Sequence, residues 1–171
     1  MHESGKDGKG SLLVLVERKT RYPFLAYLED RSNQNVNRLV EELLKGLPIK
    51  SLTLDNDISF QKHEELSELL EATIFFCHPQ SPHEKGTVEN RNKAIRRYLP
   101  KKCDLSKYSK EYISEVERKL RTNFMKCLKY KTPEESFKKE ISKSKLKKPL
   151  IHGMLVEVLK TNESVLLEGS V

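Results

Sequence analysis

A mixed α/β sheet flanked by helices is the fold class this sequence predicts, and three observations predict it. Two apolar runs, SLLVLVER (11–18) and YPFLAYLE (22–29), are joined by the short turn KTR, as in an antiparallel hairpin. The spacing of apolar residues then changes from that of a strand to that of a helix. From there helix and strand patterns alternate, which requires parallel pairing beside the hairpin.

Each element has its own signal. MHESGKDGKG (1–10) holds three glycines and no apolar run, so it reads as a loop or turn. SLLVLVER is a buried strand, and Pro23, which lacks an N–H, moves the start of the second strand to a sheet edge. In NQNVNRLVEELLKGL, residues Val36, Leu39, Val40, Leu43 and Leu44 form one helical stripe, with Gly46 near its end. IKSLTL (49–54) is a short strand that ends at Asp55. KHEELSELLEA (62–72) is a helix with Leu66, Leu69 and Leu70 inward, and TIFFCH (73–78) is the next strand. A helix follows from Gly86 to Tyr98, then a long amphipathic helix over SKEYISEVERKLRTNFMKCLKY (109–130). TPEESFKKEI (132–141) is a short helix whose Thr132, Pro133 and Glu135 form an N-cap, a first-turn proline and a capping box. SKSKLKKP (142–149) is a basic linker, and GMLVEVLKTNESVLLEGS (153–170) alternates like a hairpin. The domain reading is a loop remnant (1–10), a core (11–142), and a basic linker with a β-hairpin tail (143–171).

Charge narrows the function. The chain of 171 residues is 33% charged, with a net charge of +7. Such a balance favours DNA or another polyanion as partner, or is simply that of a soluble basic protein. No apolar run is long enough to span a bilayer and no signal core opens the chain, so the expected location is cytoplasmic, with no membrane partner. Cys77, Cys103 and Cys127 are far apart and form no CxxC pair, which suits a reducing compartment. Cys77 and His78, with His83 nearby, match no zinc spacing.

Two carboxylates stand out. Functional groups in open α/β sheets collect beyond the carboxyl ends of parallel strands. Asp55 is at such an end, and Glu89 is expected in the first turn of the helix after the next parallel strand. That order brings both to one sheet edge, where their repulsion is relieved by a hard divalent ion, Mg2+ or Mn2+. The alternative is structural: Asp55 as a turn residue and Glu89 as an anion answering the helix dipole.

These residues also carry a resemblance. TLDND (53–57) followed by HPQSPHEKGTVENRNKAIRRYLPK (78–101) resembles the core of a DDE transposase of the insertion-sequence thirty family. LLVLVERKTR resembles that family's preceding strand, and KCLKYKTPEESF its closing motif; Asp57 stands where a glycine is common. The resemblance, over roughly residues 9–140, implies an RNase H-like fold and metal-dependent DNA transposition and integration. It implies that Asp55 and Glu89 are catalytic metal ligands, two members of a triad in a two-ion site. Water and then a 3′-hydroxyl would attack phosphodiesters in line. The polar stretch 78–92 would face DNA and metal, with Gly86 making a tight turn and Thr87 starting the helix. Lys85 and Asn90 would contact DNA; Lys93 and Arg96, on Glu89's helix face, would lie along the phosphates; Arg97, Lys101 and Lys102 would extend the path.

The triad's first carboxylate is expected on a strand upstream of LLVLVER, and here only residues 1–10 precede Ser11. Asp7 falls in the presumed turn, about five residues or roughly 16 Å from mid-strand, and Glu3 has no supporting pattern. The expectation is a chain lacking that first strand, inactive alone, with an exposed sheet edge beside LLVLVER that pairs with a second copy or an intact transposase. The alternative is a catalytically dead remnant acting as a DNA-binding or transposase-pairing module. A small RNA- or DNA-binding module of other ancestry is the third reading, although the aromatic motifs of an RRM are missing.

Overall fold

The computed structural model describes residues 10–55, 60–77, 82–101, 103–146 and 153–160. The hairpin is as expected. β1 (Ser11–Glu17) and β2 (Pro23–Leu28) pair antiparallel, with Leu13 opposite Ala26. The turn between them is locked from inside, because the buried Glu17 carboxylate accepts from the backbone N–H of Thr20 at 2.6 Å and of Lys19 at 3.0 Å. β2 is an edge strand, as Pro23 anticipates. Its edge is sealed by side chains of a helix, α4 (Lys110–Thr122): Glu117 accepts from the N–H of Leu25 at 2.5 Å, and Arg121 donates to the carbonyl of Pro23 at 3.3 Å. Burial raises the pKa of Glu117, and the neighbouring Arg121 opposes that rise.

Two helix–strand units follow. α1 (Asn33–Leu44) is capped by Ser32, whose hydroxyl accepts from the N–H of Asn35, and it buries Val36, Val40 and Leu44. β3 (Ser51–Leu54), α2 (His63–Leu70) and β4 (Thr73–Phe76) come next. Leu66 is buried, but Leu69 is 53% exposed, because α2 covers the sheet margin with a single stripe. β4 is the opposite edge strand, and Phe75 is 55% exposed there.

The centre of the sheet departs from expectation. β5 (Met154–Lys160), expected in an appended tail, is instead an integral strand of the sheet. It lies between β1 and β3, giving the order β2-β1-β5-β3-β4. It pairs antiparallel with β1 from Ser11–Lys160 to Glu17–Met154, and in parallel with β3 through Leu52–Met154, Thr53–Leu155 and Leu54–Val156. β1 is therefore covered on both sides and presents no open edge. The physical reason is that a strand buried on both faces cannot leave one edge of backbone N–H and C=O groups unpaired, and β5, apolar on both sides, supplies the partners there. The second arm of the expected hairpin falls at 161–171, outside the described residues.

Helices cover both faces. Leu13, Leu15, Met154, Val156 and Val158 face α1, α2 and α5 (Pro133–Leu146). Leu12, Val14, Val16, Leu155 and Leu159 face α3 (Pro82–Ile95) and α4. α5 has the expected capping box in full: the N–H of Thr132 donates to Glu135 at 3.0 Å, and the N–H of Glu135 donates to the Thr132 hydroxyl at 3.1 Å. It runs on to Leu146, so the first part of the presumed linker is helical. The long helix expected over 109–130 stops at Thr122. Beyond it Met125 and Lys131 form an antiparallel bridge around a turn in which Lys129 and Tyr130 adopt positive φ.

Candidate active site at the carboxyl ends of the parallel strands

The three parallel strands β5, β3 and β4 end on the same side of the sheet, and α3 packs on the face of β1 and β5. Asp55 follows the last residue of β3, half-buried, and its N–H donates to the carbonyl of Val156 at 3.2 Å. The expected neighbours Asn56 and Asp57 lie outside the described residues, as do His78, Glu3, Asp7 and Lys102.

α3 begins earlier than its sequence suggests. It starts at Pro82, so Gly86 and Thr87 are helical and Glu89 is in the helix interior, not the first turn. Gly86 keeps ordinary helical backbone, and a Cβ there would meet nothing within 4 Å among the described residues. No tight turn requires it. A proline lacking an N–H costs nothing at a helix start, which explains the earlier beginning. The polar face is the one turned outward: Glu89, Asn90, Lys93 and Arg97 are exposed, and Arg96 is half-buried. Lys85 is part of α3 by its backbone, and its side chain is outside the described residues. α3 thus carries Glu89, Asn90 and Lys93 about one turn apart, with Arg96 just past its end.

What holds this polar helix is Arg91, which sequence reading passed over. It is 5% exposed, and burial pulls its pKa down to about 10, leaving it charged at neutral pH. Its guanidinium donates to the carbonyls of Arg21 at 2.5 Å and Leu120 at 3.3 Å, and touches the Met125 sulfur. One residue thus ties α3 to the β-hairpin turn, to α4 and to the Met125–Lys131 turn. A groove of about 350 Å³ runs along this junction, lined by Gly86, Asn90, Arg91 and Met125. Around it, Phe124 and Tyr130 are 74% and 70% exposed, among exposed Lys126, Lys129 and Lys131.

Asn92, the next residue on α3, was also missed. Its amide donates to Glu157 of β5 at 2.7 Å, and its Oδ1 is buried with no hydrogen-bond partner among the described residues. The signals were present: Asn92 is three residues from Glu89, and Glu157 breaks an otherwise apolar strand, MLVEVLK.

The donor set suits a hard cation, since carboxylates and an orphaned amide oxygen are oxygen ligands and no soft sulfur competes among them. It is not a closed cage: among the described residues no three His, Cys, Asp or Glu side chains are gathered closely enough to hold an ion. Nor is any helix of the described residues long and apolar enough to cross a membrane.

Comparison with known proteins is consistent with this geometry. No family model matches the chain. It is 34% identical over 134 residues to the transposase InsI of insertion sequence element IS30A from Escherichia coli (strain K12), matching 77% of this chain and 35% of that protein. It is 34% identical over 142 residues to the transposase of insertion sequence element IS4351 from Bacteroides fragilis, matching 82% of this chain and 44% of that one. The chain thus spans well under half the length of these relatives. In three dimensions it resembles the catalytic core domain of BIV integrase, with a TM-score of 0.63 at 19% identity, over 78% of this chain and 90% of that one. That likeness establishes the RNase H-like fold.

Proposed function

Since the chain belongs, over the region it shares with them, to the IS30 family of transposases, we propose that it is the catalytic core for DNA transposition and integration. The reaction is metal-dependent cleavage of DNA strands and transfer of their ends by in-line attack on phosphodiesters. The observation that supports this reading is that Asp55 directly follows β3, at the carboxyl end of the parallel strands, and that Glu89 lies on α3, the helix after the next parallel strand β4.

In this reading Asp55 and Glu89 hold Mg2+ or Mn2+. When bound, such an ion neutralises phosphate charge and lowers the pKa of the attacking water. The chain's own residues bind and orient. Lys93 and Arg96, together with Asn90, Arg97 and Lys85, follow the DNA backbone, because cations on one helix face repeat at the spacing that meets successive phosphates. Arg91 keeps α3 in place so that Glu89 stays at the strand ends. DNA is the partner, and a second copy or a longer transposase can share it.

A second reading is a DNA-binding module without catalysis. It is favoured by the lack of a closed three-ligand cage among the described residues. One experiment tests both: binding and cleavage of end-labelled duplex DNA with Mn2+, using the wild type, Glu89→Gln, and Lys93→Ala with Arg96→Ala. The double variant should flatten the dependence of affinity on salt by about two contacts' worth. Cleavage that Glu89→Gln abolishes supports the enzyme, and DNA binding without cleavage supports the module. No DNA binding at low salt would sink both readings.

A further inference from the structure

The seam between β3 and β5 holds another carboxylate. The parallel register that pairs Leu54 with Val156 brings Asp55 beside Glu157 one step further on, with the Asp55 N–H already bonded to the Val156 carbonyl. Neighbouring strands are about 4.8 Å apart, so the two carboxylates leave adjacent backbones. Alternation decides their side. Met154, Val156 and Val158 pack under α1, α2 and α5, whereas Leu155 and Leu159 pack under α3 and α4, and Glu157 shares that second face. The 2.7 Å hydrogen bond from Asn92 of α3 fits this direction. Glu89 precedes Asn92 by three residues, about 4.5 Å along the helix axis.

Glu157 is an expensive residue for this position. Its neighbours on the same face, Leu155 and Leu159, are buried, and a carboxylate between them must keep hydrogen-bond partners or lose solvation free energy. Asn92 supplies one such bond, and its own Oδ1 is buried with no hydrogen-bond donor among the described residues. A buried amide oxygen beside a half-buried carboxylate, itself in register with a second carboxylate, is an arrangement that a cation satisfies better than packing does. Departures from apolar patterning inside a sheet are expected at functional sites.

We propose that Glu157 and Asp55 together bind a divalent cation at the β3–β5 seam, with Asn92 as the positioning residue that joins Glu157 to α3. The carboxylate expected from a strand upstream of Ser11 is then supplied by β5. This inference rests on Asp55 being a metal ligand. The competing explanation is that Glu157 only staples α3 to the sheet.

Glu157→Gln separates the two, because glutamine still accepts from Asn92 but carries no charge. The measurement is Mn2+ affinity of the full chain by titration calorimetry, with thermal melting in EDTA as the control for folding. The variants are Glu157→Gln, Glu157→Asp, Asp55→Asn, and Glu134→Gln on the opposite helix layer. The expected result is unchanged melting in EDTA, affinity lowered about tenfold or more in both Glu157→Gln and Asp55→Asn, recovery in Glu157→Asp, and no change in Glu134→Gln. If Asp55→Asn weakens binding and Glu157→Gln does not, the inference falls and the proposed function stands. If neither weakens it, or the wild type binds no Mn2+, both fall. If Glu157→Gln also lowers melting, Glu157→Asp decides: a restored fold with weak Mn2+ binding overturns the inference.

Discussion

Helices α3 and α5 are each 14 residues long and each begins at a proline, yet they are held in opposite ways. α5 is secured by its own sequence. Thr132 and Glu135 exchange hydrogen bonds across its first turn, two glutamates face the positive end of its dipole, and Phe137 stacks on Tyr22 at a centroid distance of 4.2 Å. α3 carries a glycine in its interior and exposes Glu89, Asn90 and Lys93. Its anchors come from elsewhere in the chain: Arg91 reaches the Arg21 and Leu120 carbonyls, Asn92 reaches Glu157, and Ile95 enters the core. A helix anchored from its inner side leaves its outer side open to chemistry. A helix secured by its own caps can serve as scaffold.

The sharpest way to break this contrast is Arg91→Ala. It would leave two protein carbonyls without their charged donor, and should cost about 2–4 kcal/mol in stability. Urea unfolding would read this as a lowered midpoint at unchanged slope. A loss under about 0.5 kcal/mol would mean that α3 is held locally after all. Thr132→Ala tests the other helix. It removes the hydroxyl that accepts from the Glu135 N–H while the backbone N–H of residue 132 still donates to Glu135, and should cost about 1 kcal/mol, clearly less than Arg91→Ala on the same urea curves. The reverse order would invert the comparison. Gly86→Ala is the smallest effect and has the opposite sign. With helical backbone and open space at the Cβ position, alanine should stabilise the protein by roughly 0.5–1 kcal/mol. A lower melting temperature in this variant would indicate that Gly86 makes the tight turn its sequence context suggested.

Much of the fold was legible because most elements carry local signals. The hairpin of β1 and β2, the stripe of α1 and the capping box of α5 depend on residues a few positions apart, and the structure has each of them. Asp55 and Glu89 were singled out by the order of strands and helices and by the family resemblance, and the structure puts Asp55 directly after β3 and Glu89 on α3. The starting point of α3 was not legible, because a polar run after prolines resembles a loop, and its anchors are distant in sequence. Arg91 was hidden for the same reason: within ENRNK it looks like one more surface cation, and only the fold shows it buried.

β5 marks the boundary between the two kinds of information. MLVEVLK determines by alternation that residues 154–160 form a strand, and that Glu157 lies on the face opposite Met154, Val156 and Val158. Local sequence cannot determine where that strand goes, since backbone hydrogen bonds are alike along any unpaired edge. An appended hairpin satisfies the same pattern. Burial decided it: β1 has two apolar faces and two edges to cover, and between β1 and β3 the strand fills both cores at once. That placement, and not any motif, brings Glu157 beside Asp55 and under Asn92.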